Sequence, residues 1–196
     1  YRRLEHEVPL AAFADGRDRL AVDALARRYG FPLVVKERRA SGSRGLLLAP
    51  DRERLDLALA LVAEPVVQEF LDDAGGEFSV GVFRAGAREA ALAFRRQLGP
   101  GGASWFAATV ADAEVTDYAL RVARVVPCAG SLNVQVRRSR NGVRLLEVNP
   151  RFSSLVAARA AAGFTDAEWS VRLALGLPLD WPPRTRSLAF ARVMDE

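Results

Sequence analysis

The chain has 196 residues, half of them apolar, with 28 basic and 24 acidic side chains and a formal net charge of +4. This length and apolar share support a real core in one compact domain or two closely packed lobes, and they exclude a disordered or repetitive chain. The charge is small and scattered, no apolar run approaches the roughly 20 residues that span a bilayer, and no signal-peptide pattern is visible, so neither nucleic acid nor membrane is an expected partner.

A single cysteine, Cys128, leaves no internal disulfide framework and fits a reducing, cytoplasmic setting. The one histidine, His6, lies far from it in sequence, so a catalytic Cys–His pair is not expected. All but one of the basic residues are arginine, which makes Lys36 a compositional outlier. Lysine is a compact point charge on a flexible stem, suited to reaching a phosphate. A strand-end lysine of no consequence is the plain alternative.

In chain order, Tyr1 to Leu4 read as the tail of an element and the chain as a fragment. Asp15 is placed to cap a helix running to about Tyr29, ended by Gly30 and Pro32. Leu33 to Glu37 form a short strand. Residues 40–45, ASGSRG, make a small-residue loop, and Leu46 to Ala49 resume the sheet. Asp51 caps a helix to about Ala63, Pro65 breaks it, and Val66 to Leu71 form another strand. A lobe boundary is expected in the turn Asp72 to Gly76.

Glu77 to Phe83 and Arg88 to Gln97 alternate as a hairpin about Ala85-Gly86. Residues 99–104, GPGGAS, read as a mobile loop. Asp112 to Val126 is helical. Ser153 to Ala162 is an alanine-rich helix, Thr165 to Glu168 matches a capping box for another that stops at Gly176, and Trp181-Pro182-Pro183 reads as a surface turn. Leu188 to Met194 is a closing strand.

The stretch with most chemical content is SLNVQVRRSRNGVRLLEVNPRF, residues 131–152. Leu132 to Arg138 and Val143 to Asn149 read as the two strands of a hairpin. Glu147 and Asn149 project to one face, Leu146 and Val148 to the other. A three-residue loop, Arg140-Asn141-Gly142, would pair Gln135 with Glu147 and bring Gln135, Glu147 and Asn149 together, whereas an Asn-Gly two-residue turn would send Gln135 to the opposite face. An acid flanked by two amide oxygens is a hard ligand set, suited to Mg²⁺ completed by water and phosphate oxygens. Pro150 stops the strand, leaving Arg151 to reach an anionic group. A solvated hairpin face is the plain alternative.

Three earlier pieces suit a nucleotide. The Ser41 to Gly45 loop lets backbone N–H groups approach phosphate oxygens, though it is neither a Walker loop nor a dinucleotide fingerprint. The strand VQEFL offers backbone groups to a purine edge, and Glu77 could accept from ribose hydroxyls. Solvated acids near a turn are the alternative for Glu69 and Glu77.

The order of GFPLVVK, SGSRG, VVQEFL, GGEFSV, NVQ and EVNPR over residues 30 to 152 resembles the ATP-grasp superfamily. NVQ followed by EVNPR is its most specific part and is similar to the carbamoyl-phosphate synthetase and biotin-carboxylase branch. The resemblance implies an α+β ATP-grasp fold of two lobes with the nucleotide between them, 1–72 the small lobe with the phosphate loop and 73–196 the large lobe with the metal-binding hairpin, and a missing N-terminal α/β domain. Lys36 would contact phosphates, with Ser43, Arg44 and Gly45 folding over them. Glu69, Phe70 and Leu71 would face adenine and Glu77 the ribose.

Gln135, Glu147 and Asn149 would hold two Mg²⁺ (or Mn²⁺) ions with Glu147 bridging, and Arg151 and Lys36 would be catalytic, steadying the transferring phosphoryl group. The upstream basic contact would be Arg2, Arg3 or a residue before Tyr1, and Arg95 or Arg96 would help line the substrate pocket. The implied activity is an ADP-forming carboxylate–amine ligase working through an acyl phosphate, with ATP, a small carboxylate and an amine as partners and a homodimer as assembly. A non-catalytic nucleotide-binding regulatory or scaffold module, and a plain α+β interaction domain, are the alternatives.

Overall fold

The computed structural model describes residues 3–39, 45–99 and 102–192. The chain divides into two compact units, Ala11–Asp72 and a larger one formed by Asp73–Glu196 with the opening residues through Leu10. A split into 1–72 and 73–196 is therefore corrected in one respect: Leu4 and Val8 are buried in the core of the larger unit.

The smaller unit runs β1 (Phe13–Asp15), α1 (Arg19–Tyr29), β2 (Leu33–Glu37), β3 (Leu47–Ala49), α2 (Arg52–Leu61) and β4 (Pro65–Glu69). Its antiparallel sheet has the order β1-β4-β2-β3. Leu33, Val35 and Val67 project from one face onto Val22, Leu25, Leu55 and Ala58 of the helices, as period-2 and period-3.6 patterns require. The cap of α1 is Asp18, whose carboxylate accepts from Ala21 N–H at 3.0 Å, and not Asp15. Asp15 instead ends β1 opposite Val66 and accepts from the Arg17 N–H at 3.1 Å. That bond, together with the Arg38 guanidinium, holds its carboxyl below the usual range. Asp51 caps α2 as expected, accepting from Arg54 N–H at 2.8 Å.

The larger unit runs β5 (Glu77–Ala85), β6 (Arg88–Leu98), β7 (Ser104–Val110), α3 (Ala113–Val125), β8 (Gly130–Ser139), β9 (Gly142–Asn149), α4 (Val156–Ala161), α5 (Asp166–Ala174) and β10 (Ala189–Ala191). Its six strands stand in the order β10-β7-β6-β5-β8-β9, every neighbour antiparallel. Sequence reading missed β7. Residues 104–110 lack a clean alternation, and they become a strand by pairing along β6 and β10. Of the expected loop 99–104, Ser104 is already strand, and Pro100 and Gly101 lie outside the described residues.

One face of the sheet presents Phe78, Val80, Val82, Leu132, Val134 and Val136 to Val115, Tyr118, Ala119 and Val122 of α3. The Tyr118 hydroxyl donates to Pro9 C=O at 2.7 Å and accepts from Leu145 N–H at 2.9 Å. It thereby ties the opening segment, α3 and β9 at one atom. The other face presents Phe83, Leu92 and Phe94 to α4 and α5 through Leu155, Ala158, Phe164 and Trp169. Trp181 is no surface turn residue: its ring stands 5.6 Å from that of Trp169 and packs against this cluster. Thr165 does occupy the N-cap of α5, but its side chain makes no capping bond, so the expected capping box does not form.

Beneath these helices lies a buried ion pair. Arg159, 1% exposed, donates to both oxygens of Asp166, 0% exposed, at 3.1 and 2.7 Å. The Ser131 hydroxyl also donates to Asp166, and Arg159 Nη1 donates to Ser153 Oγ at 2.8 Å. The stem of Arg159 fills the space over Gly81, where an added Cβ would come within 2.3 Å of Cδ. A buried pair that loses one member leaves an uncompensated charge, so Asp166→Ala should destabilise the chain by about 3–5 kcal/mol in urea unfolding. Gly163 has φ +88° and its missing Cβ would lie 2.3 Å from Arg184 C=O, so Gly163→Ala should lower stability by roughly 1–3 kcal/mol in the same assay.

Candidate nucleotide and metal site

The hairpin of β8 and β9 brings Gln135 opposite Glu147 and Asn133 opposite Asn149. The pairing is the expected one, but the route differs. Ser139 pairs with Gly142 across a two-residue loop, Arg140-Asn141, with Gly142 at φ +92°. The ladder then shifts by one residue between Gln135 and Val136, where Leu145 and Glu147 take successive partners and Leu146 is the extra residue of a β-bulge.

The bulge decides the chemistry. Val143 and Leu145 are both buried in the α3 core, and regular alternation would carry Glu147 and Asn149 into that core after them. One inserted residue reverses the parity. Val148 packs against the core instead, and Glu147 and Asn149 emerge on the opposite face.

On that face the register sets side chains in three rows across neighbouring strands. Arg96, Glu77 and Arg137 form the first, Phe94, Ser79, Gln135 and Glu147 the second, and Leu92, Gly81, Asn133 and Asn149 the third. In the first row Glu77 Oε1 accepts from Arg96 Nε at 3.0 Å and from its Nη2, and Glu77 Oε2 accepts from Arg137 Nη2 at 2.7 Å. Arg96 Nη2 also reaches diagonally into the second row and donates to Gln135 Oε1 at 2.7 Å. The Glu77 and Arg96 side chains are 11% and 9% exposed, so this is a largely dehydrated, charge-assisted cluster.

The third row is under-satisfied. Asn133, 1% exposed, accepts from the Ser79 hydroxyl at 2.7 Å, yet its Nδ2 is buried without an acceptor, and so is Nδ2 of Asn149. Buried amide donors without acceptors are costly, and two on adjacent strands suit a ligand rich in acceptor oxygens, such as a phosphate. Glu147 is exposed and, among the described residues, no cation engages its carboxylate. With Asn149 it makes a hard oxygen pair that fits Mg²⁺. No group of three or more His, Cys, Asp or Glu side chains is gathered among the described residues.

Past β9 the Arg151 N–H bonds back to Asn149 C=O at 2.8 Å, and the Arg151 guanidinium donates to Phe152 C=O at 2.9 Å. Arg151 lines a shallow cavity with Gly130, Ser131, Pro150, Phe152 and Ser170. The Arg159–Ser153 bond anchors the far side of the same turn.

In the smaller unit Lys36 stands on β2 opposite Val66, on the sheet face away from the helices. Glu69 lies on the other face by strand parity, opposite Leu33, and its Oε1 accepts from Ala12 N–H at 3.0 Å while its own N–H donates to Ala12 C=O. The carboxylate of Glu69 thus secures the entry to β1. Phe70 is exposed and Leu71 buried. Gly45 has φ +70° with open space around it, while Ser43 and Arg44, and the Arg2 considered as a basic contact, lie outside the described residues.

Sequence reading missed Asn133, Arg137, Ser79 and the Arg159–Asp166 pair. Asn133, Gln135 and Arg137 are two apart along one strand, so the same parity that selected Gln135 selects them all. For Arg96, Ser79 and Arg159 the deciding contacts are between distant segments and leave no local signal.

A family model described as ATP-grasp in the biosynthetic pathway with Ter operon matches residues 62–195. Among solved structures the chain is similar to the Staphylococcus aureus N5-carboxyaminoimidazole synthetase complexed with ADP, at TM-score 0.80 and 14% identity over 98% of this chain and 55% of that one. It is similar to the Aspergillus clavatus carboxyaminoimidazole ribonucleotide synthase complexed with ATP, at TM-score 0.75 and 15% identity over 91% and 50%. It is also similar to the biotin carboxylase domain of the Hydrogenobacter thermophilus 2-oxoglutarate carboxylase, a complex with MgADP, ADP and bicarbonate, at TM-score 0.76 and 13% identity over 92% and 45%. The chain spans about half the length of these structures. At such identities the likeness is one of fold, and the family match covers more than half of the chain. The chain belongs to the ATP-grasp family.

Proposed function

We propose that this chain is the ATP-grasp portion of an ATP-dependent, ADP-forming carboxylate–amine ligase. The observation that carries the reading is the sheet face on which Glu147, Asn149 and Asn133 converge, with a carboxylate open to a cation and two amide donors lacking acceptors. In such a ligase the γ-phosphoryl group of ATP passes to a carboxylate oxygen and ADP leaves. The amine nitrogen then attacks the acyl carbon and inorganic phosphate leaves.

Glu147 and Asn149 are the residues that hold Mg²⁺, or Mn²⁺ in its place, with Gln135 beside them. A cation so held neutralises charge on phosphate oxygens. Asn133 and Asn149 offer N–H donors to those oxygens, and Arg151, at the mouth of its cavity, steadies the transferring group with its fixed charge. Lys36 and the loop of Ser43, Arg44 and Gly45 contact phosphates, Glu69, Phe70 and Leu71 take the adenine side, and Glu77 takes the ribose. The solved structures with bound ATP, ADP and MgADP support nucleotide and magnesium as ligands of this chain too. A cytoplasmic setting and a homodimer complete the reading.

The discriminating experiment measures Mg²⁺-dependent ATP binding by calorimetry and then ADP release while small carboxylates and amines are screened. ATP binding without stimulated ADP release would favour a regulatory module over a ligase. Glu147→Gln removes the open carboxylate at nearly constant volume. It should weaken Mg²⁺-dependent ATP binding by at least about tenfold, near 1.4 kcal/mol, and abolish ADP release with an unchanged unfolding midpoint. Unaltered affinity and turnover in that variant would remove Glu147 from the metal site.

A further inference from the structure

The sheet face bears a second charged feature that a two-cation site does not explain. Gln135 Oε1, the oxygen a second cation would need, accepts from Arg96 Nη2 at 2.7 Å. The same guanidinium binds Glu77 through Nε and Nη2, so Arg96 bridges the acid of the first row and the amide of the second. Glu77 in turn has its other oxygen on Arg137 at 2.7 Å. Arg96 is held at three points with its side chain 9% exposed, and a guanidinium keeps its charge at any ordinary pH. A divalent ion on Gln135 would meet that charge in a poorly hydrated place where repulsion is weakly screened.

We propose that this face takes one divalent cation, on Glu147 and Asn149, and that the Arg96 guanidinium permanently fills the place of a second. Gln135 is then an acceptor that orients Arg96 and not a metal ligand. The proposal rests on the reading that the face binds a nucleotide with its cation. It narrows that reading, because the guanidinium charge that stands in for a second cation is built into the chain and cannot be removed by a chelator.

The test is a Mn²⁺ titration of the intact chain in the presence of ADP, counting bound ions by electron paramagnetic resonance. One ion per chain is expected for the wild type at saturation, and two would overturn the proposal while leaving the nucleotide-site reading in place. No bound Mn²⁺ with ADP present would overturn both. Arg96→Met frees Gln135 and Glu77, with Glu77 still paired to Arg137, and should admit a second ion; a count that stays at one would show that Arg96 is not what excludes it. Arg96→Lys keeps a cation at the position and should keep the count at one, and a count of two there would overturn the charge argument. The wild-type count decides the matter even where a variant does not fold.

Discussion

The site depends on a reversal of parity in one strand. A β-strand sends alternate side chains to opposite faces, so a strand that begins by burying Val143 and Leu145 is committed to burying Glu147 as well unless its count is broken. The extra residue at Leu146 breaks it. The hairpin can therefore anchor its first half in the α3 core and still turn its second half, with a carboxylate and an amide, toward the other face. Burying an ionised carboxylate among Val134, Val136 and Leu132 would cost far more than a bulge does.

Around that strand the polar face is graded. The row farthest from α4 and α5 is a closed set of ion pairs, Arg96, Glu77 and Arg137, in which each charge already has a partner. The row nearest them holds two asparagines whose donors are unspent. Between the two lie Gln135, drawn toward the arginines, and Glu147, which is not. A ligand that brings both a cation and acceptor oxygens answers the second and third rows together. The Arg159–Asp166 pair closes the face on the side of Gly81 and reaches Ser153, two residues beyond Arg151, so the turn that carries Arg151 is tied to a fully buried ion pair.

Much of this was legible in the sequence where the deciding physics is local. The cap at Asp51 and the strand ending at Pro150 depend on a few neighbouring residues. The family order of short motifs was legible as well. Elements made by partners were not: β1 and β7 are strands because β4, β6 and β10 pair with them, and Asp15 is no helix cap because the sheet claims it first. The pairing of Gln135 with Glu147 was reached from the sequence through a longer loop, whereas the chain uses a shorter loop and a bulge that sum to the same offset. Arg96 could be put forward only jointly with Arg95, as a candidate for the substrate pocket, in a chain where nearly every cation is arginine. Its role comes from Glu77 and Gln135, which are 19 and 39 residues away.

The Tyr118 hydroxyl joins Pro9 C=O to Leu145 N–H, one residue before the bulge. Tyr118 is buried and its bond to Leu145 N–H lies in the core, while its bond to Pro9 C=O reaches out to an exposed residue. The stretch at Pro9 and β9 thus meet at one hydroxyl, and slack admitted at one end would be transmitted to the other.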